Sequence, residues 1–227
     1  MHDPRSHLYR SIHKAVRSLL GQLSSLAGAT DFSRPSELER LRERVQHDFG
    51  MLASHAHHED AHVMPLLALY APEIARRLDA AHEDQHDTMP RLEAALAAID
   101  PTGSDAAERG AEFCMALSRY MADQLDHMAD EEMLAMPALY AALDDTTLIE
   151  VHDKLVASVP PEEMMRWLSY MLPALNGSER TGMLLGMGAN APREAFEAVI
   201  QLARQVLAPK VFDDLSQQLA SVLGRAA

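Results

Sequence analysis

Residues 55–70 read HAHHEDAHVMPLLALY, and 72 positions further on residues 127–142 read HMADEEMLAMPALYAA. Laid over each other, they put His55 on His127, Glu59 on Glu131, Asp60 on Glu132 and Pro65 on Pro137. Each residue of an α-helix turns about 100°, so positions i and i+4 share a face while i+2 turns away. His55 with Glu59 and His127 with Glu131 therefore each form one face, and the repeat marks these pairs as the residues that count. His57 and Asp60 are expected to point elsewhere, His58 to sit at the edge of the face, and His62 to lie one heptad from His55 as a core histidine or a donor.

Working outward, apolar residues recur at helical spacing in Leu8, Ile12, Val16, Leu19, Leu20 and Leu23, which predicts a helix over 5–28. Ser36 with Glu39 reads as a capping box opening a second helix that runs through the quoted stretch to Tyr70, before Ala71-Pro72. A third helix is expected over 73–99 and a fourth over 105–143, closed by DPTGSD and DDTT. With one more residue of offset His13 falls on His86, so the first helix pair resembles the second. Four long helices with short links imply an all-α, antiparallel up-down four-helix bundle over residues 1–144. Residues 145–227 read as an extension of shorter helices restarted at Pro161, after Asn176 and at Pro192. It is expected to pack on the bundle or at an oligomer interface such as that of a homodimer, with its methionines as adaptable core packing.

Composition narrows the function classes. Apolar residues make up 48% of the 227, enough to fold by burial, while aromatics are only 5% and β-branched runs are missing. The net charge of -14, with no basic run, argues against nucleic acid and against anionic membrane surfaces. No stretch carries the roughly 20 apolar residues that a membrane span needs. The only cysteine, Cys114, has no intramolecular disulfide partner, which fits a reducing cytoplasm.

The i, i+4 pair His82/His86 adds two imidazoles, and counting about 1.5 Å of rise per residue from the turn near Pro72 sets it level with His55/Glu59. Five imidazoles (His13, His55, His82, His86, His127) and two carboxylates (Glu59, Glu131) then face one core. Such a set is costly to bury without a metal, and a nitrogen and oxygen donor set without thiolate suits two ions of iron or manganese, with zinc as competitor. Glu132 competes with Glu131, because a local bulge could turn the fifth position inward. Tyr9 stands where the second half has His82; it either packs or donates to a bound oxygen species.

Together, YRSIHKAVRSLL, HAHHEDAHVMP, AHEDQH and HMADEEMLAMP resemble the hemerythrin-like, HHE cation-binding family over about residues 5–143. The resemblance implies two iron ions (Fe2+/Fe3+) with an oxo or hydroxo bridge, held by His13, His55, Glu59, His82, His86, His127 and Glu131. It also implies a small ligand such as O2, NO or peroxide, bound for oxygen binding, sensing or stress defence. A peroxide-degrading, catalase-like di-iron enzyme is the alternative role. The two E-x-x-H motifs Glu59/His62 and Glu83/His86 suggest a ferritin-like di-iron oxidase instead, but they fall on adjacent helices where that class needs non-consecutive ones. A zinc-binding helical scaffold is the remaining alternative.

Overall fold

A computed structural model describes residues 7–223, which form helices and no strand. In chain order these are α1 Arg10–Ala29, α2 Pro35–His62, α3 Met64–Tyr70, α4 Pro72–Ala97 and α5 Ala106–Asp130. A π-helical turn, Glu131–Ala135, then leads into α6 Met136–Ala142 and α7 Asp145–Ser158. The chain ends with α8 Pro161–Ala174, α9 Gly177–Asn190, α10 Arg193–Val206 and α11 Pro209–Leu223. The first expected helix begins at Arg10 in place of residue 5, and residues 5 and 6 lie outside the described range. No helix among the described residues is long and apolar enough to cross a membrane.

Both of the long helices that carry the quoted repeats are interrupted between the repeated glutamate and the repeated proline, one at Val63 and one over Glu131–Ala135. Proline has no N–H for the carbonyl four residues back. At Pro65 the chain breaks at Val63 and restarts as α3, and before Pro137 the helix widens into the π turn, whose Met136 N–H reaches back to the Glu131 carbonyl. The expected helices ending at Tyr70 and residue 143 are therefore each split. The expected Ser36/Glu39 capping box is corrected as well: the cap position falls on Arg34, two residues earlier, with Pro35 in the first turn and no side-chain cap.

The described residues divide into two compact units, one of residues 7–10 with 19–159 and one of residues 11–18 with 160–223. The first unit thus runs past the expected boundary at residue 144, because α7 packs on α2. Asp144 caps α7, its side chain accepting from the Thr147 N–H, and this holds the exposed carboxyl below its usual range. Within this unit α2 packs on α4, α4 on α5, and α3 on α6. Val63, Leu67, Leu78, Ala135, Met136 and Leu139 form a core cluster with Leu8 and Tyr9.

The second unit closes on its own apolar cluster of Leu168, Leu172, Leu184, Val199, Ala203 and Leu207. Met164, Met165, Met171, Met183 and Met187 pack against it, as expected of a gap-filling side chain. Here the capping box that the sequence suggested elsewhere is found at α9, where Asn176 accepts from the Glu179 N–H and Glu179 from the Asn176 N–H. Buried Arg180 donates to the Leu172 and Leu175 carbonyls at the end of α8, and Glu179 also pairs with Lys14 at 2.6 Å.

Candidate metal centre

On α5 the regular four-residue step from His127 to Glu131 is intact, because the Glu131 N–H bonds to the His127 carbonyl and the helix widens only afterwards. The bulge raised as a means of turning Glu132 inward is present, but it begins too late to do so. Glu131 is 1% exposed and Glu132 only half-buried. His127 Nε2 stands 3.5 Å from Glu131 Oε1.

Glu59 is the corresponding carboxylate of α2, also buried. Its Oε1 is 3.3 Å from His55 Nε2, and its Oε2 is 3.8 Å from His82 Nε2 on α4. The rings of His82 and His127 lie beside each other with centroids 4.6 Å apart. Glu59, His82, His127 and Glu131 are all buried, and each offers one ligand atom within 4.8 Å of the others.

These separations suit a shared cation better than hydrogen bonds. Ordinary N–H···O bonds span about 2.7–3.2 Å, whereas donors each about 2.0–2.2 Å from one ion stand up to roughly 4.4 Å apart. The 3.3, 3.5 and 3.8 Å separations all fall in that second range. His82 Nε2 is buried and makes no hydrogen bond, an expensive state for an imidazole unless something else takes its lone pair. The residues present fit a metal.

His86 is not brought in: its side chain is 82% exposed. The buried positions of α4 are Ala75, Leu78, His82, Gln85, Met89, Leu92 and Leu96, spaced by alternating threes and fours. At about 100° per residue His82 already lies to one side of that stripe, and His86 falls about 40° beyond it. Gln85 occupies the inward place, and that alternation was the sequence signal for it. On α5 the stripe from Phe113 through Tyr120 and Gln124 is centred on the His127/Glu131 side, so the same i, i+4 spacing delivers both residues.

Asp60 is exposed, as expected, but its side chain also reaches α4, where its Oδ1 lies 2.7 Å from His82 Nδ1. One step beyond Glu59 turns about 100°, and in packed helices that direction faces the neighbour. His57 is exposed, as expected, and His58 meets Ser158 of α7 at 3.0 Å, as a residue at the edge of the face would. His62 is half-buried in the last turn of α2. His13 is wholly buried on α1 within the 11–18 stretch that groups with the second unit.

Tyr9 packs in the core of the first unit at 2% exposure. Burial, then the negative charges of Glu131 and Glu59, push its phenol well above the ordinary range. The same residue thus packs and stands within the field of both carboxylates. His7 precedes α1, its Nδ1 accepting from the Tyr9 and Arg10 N–H groups.

Beside His82, a cavity of about 300 Å³ opens between α2, α4 and α5. Its floor is Leu52, Gln85, Met89, Tyr120 and Gln124, with the Gln124 amide donating to the Tyr120 hydroxyl at 3.1 Å.

No curated protein and no solved structure matches the chain. A family model, that of the hemerythrin HHE cation binding domain, matches residues 5–157, which takes in α7 and every residue of the buried cluster. The chain belongs to the hemerythrin HHE cation-binding domain family.

Proposed function

We propose that this protein is a non-haem di-iron protein that binds dioxygen or a related small oxidant, NO or peroxide, for oxygen binding, sensing or stress defence. The observation that carries the reading is the buried quartet Glu59, His82, His127 and Glu131, gathered within 4.8 Å without a thiolate among them. Hard oxygen and imidazole donors of this kind suit iron, and membership of a cation-binding family supports it. The reading includes the up-down four-helix bundle that the short links between α1, α2, α4 and α5 favour.

In this reading Glu59, Glu131, His82, His127 and His55 would hold the metal, with His13 entering on its place in the repeat. Bound iron supplies the electrons that reversible capture of an oxidant requires. The protein supplies the rest. Buried carboxylates would hold a cationic site in place, and Tyr9 keeps its proton on Oη, a neutral O–H within the field of both carboxylates.

The test is anaerobic reconstitution with ferrous iron, metal analysis, and optical spectra before and after air. About two irons per chain and a charge-transfer band that disappears on removing oxygen are expected. Fewer than two irons after reconstitution, or zinc taken up in preference, overturns the di-iron reading. Steady oxygen evolution from added peroxide replaces binding with catalysis.

A further inference from the structure

We propose that Asp60 is a positioning residue of this centre: accepting a hydrogen bond from His82 Nδ1, it fixes the ring so that Nε2 turns its lone pair toward Glu59 and His127. The inference rests on the metal reading for its purpose, but its geometry stands by itself. Asp60 Oδ1 and His82 Nδ1 are 2.7 Å apart, the length of a charge-assisted bond. With Asp60 Oδ1 as the acceptor of that bond, Nδ1 is the nitrogen that carries the N–H. In the neutral ring the lone pair then lies on Nε2, the buried nitrogen that makes no hydrogen bond and stands 3.8 Å from Glu59 Oε2.

Left to itself a neutral imidazole divides its proton between the two nitrogens, and a ring with the proton on Nε2 presents an N–H where a cation needs a donor. A carboxylate behind a ligating histidine removes that state and holds the ring plane, and losing such a partner costs a site about 10–100-fold in metal affinity. Asp60 is placed for this and for little else. Its side chain is 49% exposed at the rim of the cavity beside His82, so it contributes little packing, while His82 is 7% exposed. Asp60 and Glu59 are consecutive on α2, so one turn of that helix sets a buried carboxylate 3.8 Å from one nitrogen of His82 and the orienting carboxylate on the other.

The experiment uses the full chain and two readouts. In the metal-free, 15N-labelled protein, long-range imidazole correlations should show His82 protonated at Nδ1. Asp60→Ala should shift it to a mixture dominated by the Nε2 proton, Asp60→Asn should lie between, and Asp60→Glu should restore the wild-type pattern. Anaerobic titration with ferrous iron should show Asp60→Ala weakened about 10–100-fold, with most of the loss recovered in Asp60→Glu. Asp84→Ala removes the same charge from the exposed side of α4 and should change neither readout. An Asp60→Ala protein with the wild-type tautomer, or with wild-type affinity, overturns the proposal. If wild type itself takes up no iron, the metal reading fails, and the tautomer measurement still decides whether Asp60 orients His82. Asp60→Asn, which keeps the size of the side chain, serves should the alanine variant not fold.

Discussion

Glu131 and Glu132 differ by one residue and about 100° of rotation, and only the first is buried. Charge cannot separate them, so the prediction is positional: Glu131→Gln should reduce bound iron below two per chain, whereas Glu132→Gln should leave the metal content unchanged. The histidines separate in the same manner. His127→Ala removes a buried donor and should lower iron affinity at least 100-fold, while His86→Ala, at a side chain 82% exposed, should shift it less than threefold in an iron titration. Equal losses in the two variants would show that α4 turns His86 inward when metal binds. At this scale the sequence made His55, Glu59, His127 and Glu131 legible, because a 72-residue repeat singled out the same positions twice. His86 was misplaced, and the contact of Asp60 with His82 missed, for one physical reason. A helical wheel gives angles about one axis, and whether a given angle meets solvent or a neighbouring helix depends on where the buried stripe is centred.

At the scale of the element, periodicity gave the long helices, but prolines and caps were read less well. Pro65 and Pro137 were seen as part of the repeat, yet their effect on the backbone, a break after Glu59 in one copy and a π turn opening at Glu131 in the other, depends on how each segment packs. The Asn176/Glu179 box is the counterpart of the one expected at Ser36/Glu39, where Pro35 opened the helix first. Asn176→Ala should therefore destabilise the protein by about 1 kcal/mol in urea unfolding, and Ser36→Ala by much less. A tighter constraint sits between the 30–34 turn and α5. A Cβ on Gly110 would come within 2.2 Å of the Phe32 ring, so Gly110→Ala should cost roughly 1–3 kcal/mol despite alanine's better helix propensity. Pairing it with Phe32→Leu should return part of that loss, and a neutral Gly110→Ala would mean that the ring moves aside freely.

For the whole molecule, the unexpected feature is that α1 is divided between the compact units, with 11–18 grouping with α8–α11 while the helix on either side groups with the rest. Nothing in its even apolar spacing announces this, since a buried stripe looks the same whichever partner covers it. The division matters because His13 is the one proposed ligand on that stretch. Binding that prefers the native state protects the parts it holds, by an amount set by ligand concentration over Kd. Hydrogen exchange on the full chain, metal-free and iron-loaded, should show slowed amides around Glu59 on α2, His82 on α4 and His127 on α5, with α10 and α11 unchanged. If His13 is a ligand, residues 11–18 will slow together with α2 and α5, and His13→Ala will abolish the change there while leaving the slowing around His82 and His127. Protection confined to α2, α4 and α5 would reduce the centre to the ligands of the first unit, and uniform slowing across α10 and α11 would mean that iron is not held where the buried quartet stands.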